Sequence, residues 1–418
     1  MSLPLCRRVF RLTTPAVLVA IVVSVPAGAQ DWPQWRGPQR DGVVSAGVAP
    51  ASWPPGLTKT WQVAVGDGHA SPVVSGRRVI VHTRRADREV VSSVDLATGK
   101  TVWEDGYDAP YTMNRAAISH GKGPKSTPVV AAGRVYTLGI TEILSCYDLE
   151  SGRLLWRKDF STQFPTTSPD FGTAMSPLVD RGHLYVHVGT SGQGALMALD
   201  AVSGDLRWRW TGDGPAYASP IAVDLAGTRQ IVTQSQSRIV SVAADTGALL
   251  WSLPYTTPYV QNIVTPLVVN DVLVFSGLDA GVIAVRPVRS GAAWSVEQVW
   301  KTDAVGMYMN SPLLKGNLVF GFSHKNRGQF FCLDAASGRT LWLGDGRQGE
   351  NAAMVLAGEF VVSLTNDASL IVSKASAAGL QPVRTYKAAD SPTWAHPVLV
   401  GGGVLVKDAT MLTLWGWE

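Results

Sequence analysis

The sequence repeats, and the period limits what the chain can fold into. A small or hydroxyl residue, a proline and then an apolar run occur at Ser71-Pro72, Thr127-Pro128, Ser176-Pro177, Ser219-Pro220, Thr265-Pro266 and Ser311-Pro312, with degenerate copies at Ala352-Ala353 and His396-Pro397. From residue 72 to residue 397 is 325 residues over seven intervals, about 46 each, the size of one four-stranded blade of a β-propeller. A second anchor keeps the same period. Asp95, Gly99 and Trp103 recur as Asp148, Gly152 and Trp156, as Asp200, Gly204 and Trp208, and as Asp334, Gly338 and Trp342, with Asp and Trp always eight apart. The copy ending at Trp251 keeps Gly247 but has Ala243 in the Asp place; the fifth is stretched through Arg286 and Gly291 to Trp300, and the seventh has Lys374, Gly379 and Tyr386.

This unit reads as a hairpin. Glycine supplies the left-handed residue of a tight reversal, Asp can cap amides of the turn, and Trp opens the next strand with a ring large enough to wedge between sheets. Most of the 15 tryptophans therefore need no ligand to account for them. The last copy, His396 to Glu418, has room for two or three strands only, whereas Lys59 to Val65 reads as an orphan outer strand. Trp61 stands 11 residues before Pro72, matching the 12, 12 and 11 from Trp208 to Pro220, Trp300 to Pro312 and Trp342 to Ala353. The spacing predicts an all-β, eight-bladed propeller over residues 59–418 whose last blade is closed by the N-terminal strand, with residues 30–58 as an arm.

Residues 1–29 read as a cleaved leader. Arg7, Arg8 and Arg11 precede an apolar run from Ala16 to Val25, and Ala27-Gly28-Ala29 is a small-x-small cleavage site. The run is too short to span a bilayer. The Arg7-Arg8 pair is similar to a twin-arginine export signal, though an ordinary Sec leader with adjacent arginines is the plainer reading of the same residues, and the expected compartment is the periplasm or the outside of the cell. Removing the leader takes away three arginines and no acid, lowering the net charge from +4 to +1. That argues against a nucleic-acid partner, which needs a concentrated basic surface. Cys6 lies before the apolar run, so no lipid anchor is expected. Cys146 and Cys332 precede the hairpin Asp of blades 2 and 6, on opposite sides of the ring, and should stay unbridged.

The Asp, Thr/Ser-Gly-Lys/Arg, Trp pattern resembles the repeat of the pyrroloquinoline quinone (PQQ) family over about residues 59 to 418. The segment from Asp31 to Gly42 is similar to the N-terminal signature of exported PQQ-like propellers; on its own it reads as an ordered arm whose Trp32 and Trp35 pack on the propeller. Two branches share the repeat. The resemblance to quinoprotein alcohol dehydrogenases implies PQQ and calcium in the channel, with adjacent disulfide-bonded cysteines, calcium ligands and a base aspartate; here no two cysteines are adjacent. The other branch, typified by the outer-membrane assembly factor BamB, is non-catalytic. The reading adopted is a BamB-like, monomeric scaffold for protein partners in the cell envelope, with no transmembrane span, no catalytic residue, no metal and no cofactor. The alternatives are a quinoprotein-like oxidoreductase and a small-ligand sensor using the channel.

Other chemistry finds little support. His183 and His187 are four residues apart on one strand, roughly 13 Å, too far to chelate one metal together. Gly121 to Thr127 echoes a phosphate loop, but Pro124 stands where glycine is required and a strand follows. Gly189 to Gln193 misses the nucleophile elbow at its last residue. One constellation remains. Residues just before each blade's first strand should converge at one mouth of the channel: His69, Lys125, Thr173, Tyr217, Asn262, Asn310, Asn351, Trp394 and His396. Such a polar ring suits an anionic small molecule or a carboxylate-bearing peptide. Gly106 to Lys125 is the longest irregular connection and is expected to be functional or mobile.

Overall fold

A computed structural model describes residues 1, 31–164 and 169–417. The proposed leader lies outside the described residues apart from Met1. Eight antiparallel sheets follow one another along the chain, and the inner strands of successive blades approach each other around a central channel. Blade 1 runs from Val73–Ser75 through Arg78–Arg85 and Arg88–Asp95 to Thr101–Asp108; the other blades repeat this inner-to-outer order. The closing strand is as expected: Thr58–Ala64 pairs antiparallel with Met411–Gly416, Trp61 opposite Leu414.

The tryptophans hold blade to blade. The indole N–H of Trp61 donates to the Leu96 carbonyl of the next blade (2.9 Å), Trp103 to Leu149 (2.8 Å), Trp156 to Val202 (3.1 Å), Trp208 to Ala244 (2.8 Å) and Trp300 to Ala335 (3.0 Å). Each ring lies under the turn glycine of that next blade. A methyl group built on Gly99, Gly152, Gly204, Gly247 or Gly338 would come within 2.3–2.8 Å of the ring. These glycines are required twice over, by φ values of +69° to +75° and by the ring. In the turns of blades 1, 2, 3 and 6 the Asp carboxylate accepts amide hydrogen bonds, as at Thr98, Ser151, Ser203 and Ser337. Blade 5 lacks the Asp turn, and Trp251 of blade 4, which would face that turn, donates instead to the Gln230 side chain of its own blade (2.9 Å).

The hydroxyl before each proline has a part that the sequence does not announce. The amide of Ser71 donates to Thr127 Oγ1, Thr127 to Ser176 Oγ, Ser176 to Ser219 Oγ, Thr265 to Ser311 Oγ and His396 to Ser71 Oγ, all at 2.9–3.1 Å. Each bond ties the start of one inner strand to the start of the next, forming a belt around the channel. Proline follows because this strand lies at an edge, where a missing N–H costs nothing in the ladder.

Two buried glutamates tie blade 1 to blade 2 and blade 2 to blade 3. Glu89, fully buried with His82 and Tyr107, accepts the Ile140 amide at 2.8 Å. Glu142, in blade 2, accepts the Gly189 amide of blade 3 at 2.7 Å and has one carboxyl oxygen without a partner. Burial pushes the Glu142 carboxyl up to about 8, so at neutral pH it is held as the neutral acid.

Three outcomes follow from these contacts. Gly133 has φ +73° and open space around its missing Cβ, whereas Gly152 has φ +71° and the Trp103 ring. Gly133→Ala should cost about 1–2 kcal/mol for the left-handed backbone alone, and Gly152→Ala about 1–3 kcal/mol more for overpacking, read by urea unfolding; equal losses would refute the double requirement. Because Glu142 binds its proton more tightly folded than unfolded, stability should fall as pH rises from about 4.5 to about 8. Glu142→Gln should flatten that slope and stabilise at pH 8 by on the order of 2–4 kcal/mol, and an unchanged slope would contradict it. Cys146 and Cys332 are free and buried, with burial pushing both thiols up to about 12; thiol reagent should titrate both in denaturant without reductant and neither promptly in the native protein.

Candidate functional site

Inner strands that face a channel leave backbone groups unpaired, and such groups need partners. The segment Asp31–Val44 supplies them. Trp32 exchanges two backbone bonds with Val74 of blade 1, and the Pro33 carbonyl accepts the Val130 amide of blade 2. Trp35 donates its indole N–H to Thr265 of blade 5 at 2.8 Å. The Arg36 guanidinium donates to the carbonyls of Ser311 and Pro312 in blade 6, and Arg40 to Ser176 and Pro177 in blade 3. Val43–Val44 then adds a parallel fifth strand to blade 7, beside Leu356 and Ala357. The arm thus crosses the channel and seals it, beyond the packing role expected for Trp32 and Trp35. Burial lowers Arg36 to about 10 and Arg40 to about 9, which leaves both charged at neutral pH, compensated by carbonyl dipoles.

The seal turns the channel mouth into a shallow cup of about 140 Å³ with Trp35 at its base. Trp394 forms one wall with His69 and His120, ring centroids 5.9 and 5.5 Å away. Phe171 and Tyr217 form another, edge to face at 5.9 Å. Lys125 lines the cup as well; its ammonium makes one long contact, 3.5 Å, to the Gly121 carbonyl. Burial pushes Lys125 down to about 8, and burial with the Lys125 charge pushes His69 down to about 3. At pH 7 the cup therefore carries a lysine cation beside a neutral His69. A second cleft of about 880 Å³ adjoins it, sharing His120, Met309 and Trp394 and adding Tyr308, Arg327, Arg347 and Glu350.

Of the residues the repeat aligned, His69, Lys125, Tyr217, Asn351 and Trp394 line the cup. Four do not. Asn262 is buried, donating to the carbonyls of Ser235 and Tyr255 and accepting from Thr257. Asn310 is buried and bonded to the Phe322 carbonyl. Thr173 faces Glu142. His396 lies behind Trp35, ring centroids 4.5 Å apart, and burial with the nearby Arg36 lowers it to about 3. One residue of register separates a mouth position from an interior one: His69, Lys125, Tyr217 and Trp394 stand three residues before the blade's proline, whereas Thr173 and Asn262 stand four before it and Asn310 two. Missed by the sequence reading were Trp35, His120 and Phe171. Gly106 belongs to the strand Thr101–Asp108, and the connection that follows carries a short 3₁₀ turn, Arg115–His120, which places His120 at the mouth. Among the described residues no three His, Cys, Asp or Glu side chains assemble a metal site, and no helix is long and apolar enough to cross a membrane.

The architecture has known relatives. In a search of curated proteins the chain is 29% identical over 217 residues to the outer membrane protein assembly factor BamB of Yersinia pestis, covering 51% of this chain and 50% of that protein. It spans between about a quarter and three fifths of the length of the curated relatives it matches. Among solved structures, BamB from Moraxella catarrhalis superposes with a TM-score of 0.62 at 15% identity, over 86% of this chain and 97% of that one. The quinohemoprotein alcohol dehydrogenase from Comamonas testosteroni superposes at 0.69 and 14%, over 93% and 80%. At such identities the superpositions speak for the fold, which both branches share. A family model described as outer membrane protein assembly factor BamB matches residues 86–343, well over half of the chain, and the chain belongs to that family.

Proposed function

We propose that this protein is an exported, non-catalytic propeller that binds protein partners in the cell envelope, in keeping with a family named for an assembly factor. One observation carries the reading: the channel is occupied by the protein's own arm, so that what remains at the mouth is a cup of side-chain size and an open cleft beside it. An oxidoreductase reading asks the mouth to hold a three-ring quinone with calcium. Calcium takes six to eight oxygen ligands, carboxylates prominent among them, and neither Asp nor Glu lines the cup. The residues present do not fit that pair.

The test has two arms. A photo-crosslinking amino acid in place of Tyr308, a half-buried residue of the cleft, should give light-dependent protein adducts of defined mass in intact cells of the native host. Purified protein given PQQ, calcium and a redox dye should oxidise no alcohol. Dye reduction at a steady rate would overturn the non-catalytic reading, and an absence of adducts from Tyr308 and from the rim positions around it would overturn the partner reading.

A further inference from the structure

The mouth has two joined parts of different character. The cup is apolar and aromatic, floored by Trp35 and walled by Trp394 and by the Phe171–Tyr217 pair, with Met309 and Ile263 between them. Its volume, about 140 Å³, is close to the roughly 150 Å³ of an apolar cavity that binds benzene. One six-membered ring fills it, with aromatic edges and a thioether to meet that ring. The fit of the cup itself is to one aromatic side chain.

The adjoining cleft is charged. Arg327 and Arg347 line it, are exposed, and form no ion pair among the described residues. Their loops are tied together by the Arg347 amide on the Asn326 carbonyl and the Gln348 amide on the Gly328 carbonyl, which holds the two guanidiniums on one rim. His324 is already engaged, between the Gly306 carbonyl and the Asp279 carboxylate at 2.9 Å each. Glu350 is the one acid that lines the cleft. Lys125 in the cup likewise has no carboxylate within ion-pair distance among the described residues. Three cations thus face a mouth with one acid, around a slot for a single ring.

Resting on the protein-binding reading above, we propose that the mouth recognises an acidic segment of a partner protein through one aromatic side chain. The ring enters the cup over Trp35, and carboxylates flanking it lie against Lys125, Arg327 and Arg347. The aromatic anchor supplies the buried contact area and the arginines select acidic company for it. Because cup and cleft are continuous through His120, Met309 and Trp394, both features can be met by neighbouring residues of one extended segment.

Calorimetry on the purified full-length mature protein tests this with four probes: the peptides acetyl-EEFEE-amide, acetyl-EEAEE-amide and acetyl-KKFKK-amide, and phenylacetate. The expected result is salt-sensitive binding of the first, at least tenfold weaker binding of the second and fourth, and none of the third. The double variant Arg327→Glu/Arg347→Glu, at exposed positions that leave the fold alone, should lose the acidic peptide at least tenfold and gain the basic one. Four results would each overturn the proposal: no binding of the acidic aromatic peptide, equal binding of its alanine or lysine version, phenylacetate binding as tightly as the peptide, or indifference to the double reversal. Should crosslinks from Tyr308 persist while the peptide selectivity is absent, the scaffold reading stands and this inference alone fails; dye-linked turnover would instead remove the reading beneath it.

Discussion

A ring of separate sheets has to satisfy two kinds of open surface at once: the faces between blades and the inner edges that look onto the axis. The faces are satisfied by one contact used repeatedly, an indole ring lying under a turn glycine with its N–H on a carbonyl of the neighbouring blade. Burying such a ring is worth on the order of 3–5 kcal/mol, and it also fixes the relative orientation of two sheets that share no ladder. The inner edges are satisfied by the hydroxyl belt and, where the belt is incomplete, by the arm. Blade 7 starts with Ala352-Ala353 and has no hydroxyl to offer, and it is there that Val43–Val44 pairs.

The site is a by-product of that second solution. Had the channel stayed open, its mouth would be the end of a water-filled pore. With Trp35 anchored on Thr265 and packed against His396, the mouth has a floor. Two guanidiniums with no carboxylate in contact among the described residues hold the floor in place through backbone carbonyls on blades 3 and 6. Arg36 and Arg40 both hold left-handed backbone, φ 59° and 58°, a strain that the surrounding bonds must hold.

What could be read from the sequence was whatever the repeat counts. The Asp, Gly and Trp spacing gave blade number, order and even the closing strand, because Trp61 keeps the distance to Pro72 that other tryptophans keep to their own blade starts. The arm's path was not legible. Its partners are main-chain carbonyls as far away as Pro312, and main-chain atoms leave no mark in a side-chain pattern. The Ser/Thr hydroxyls escaped for a related reason: the proline beside them drew the eye to strand starts, while their acceptor role points to the neighbouring blade. At the mouth, the repeat placed His69, Lys125 and Trp394 well but could not tell Asn351, which lines the cup, from Asn262, which turns inward to carry three carbonyls and a hydroxyl.

The closing strand also sets a timetable. Gln62 hydrogen-bonds Thr413 across 351 residues, and the arm ahead of it finds partners strewn from Val74 to Leu356. A chain that is made and threaded from its N-terminus therefore delivers plug and latch first and their socket last. Until the eighth blade emerges, the strand Thr58–Ala64 waits with a free edge, the kind of exposure that invites aggregation. Completion is then one late, long-range event, slow by the rule that distant contacts must be closed before they are rewarded. A protein built this way matures all at once: whatever handles the chain before its tail is available meets a ring that cannot yet close.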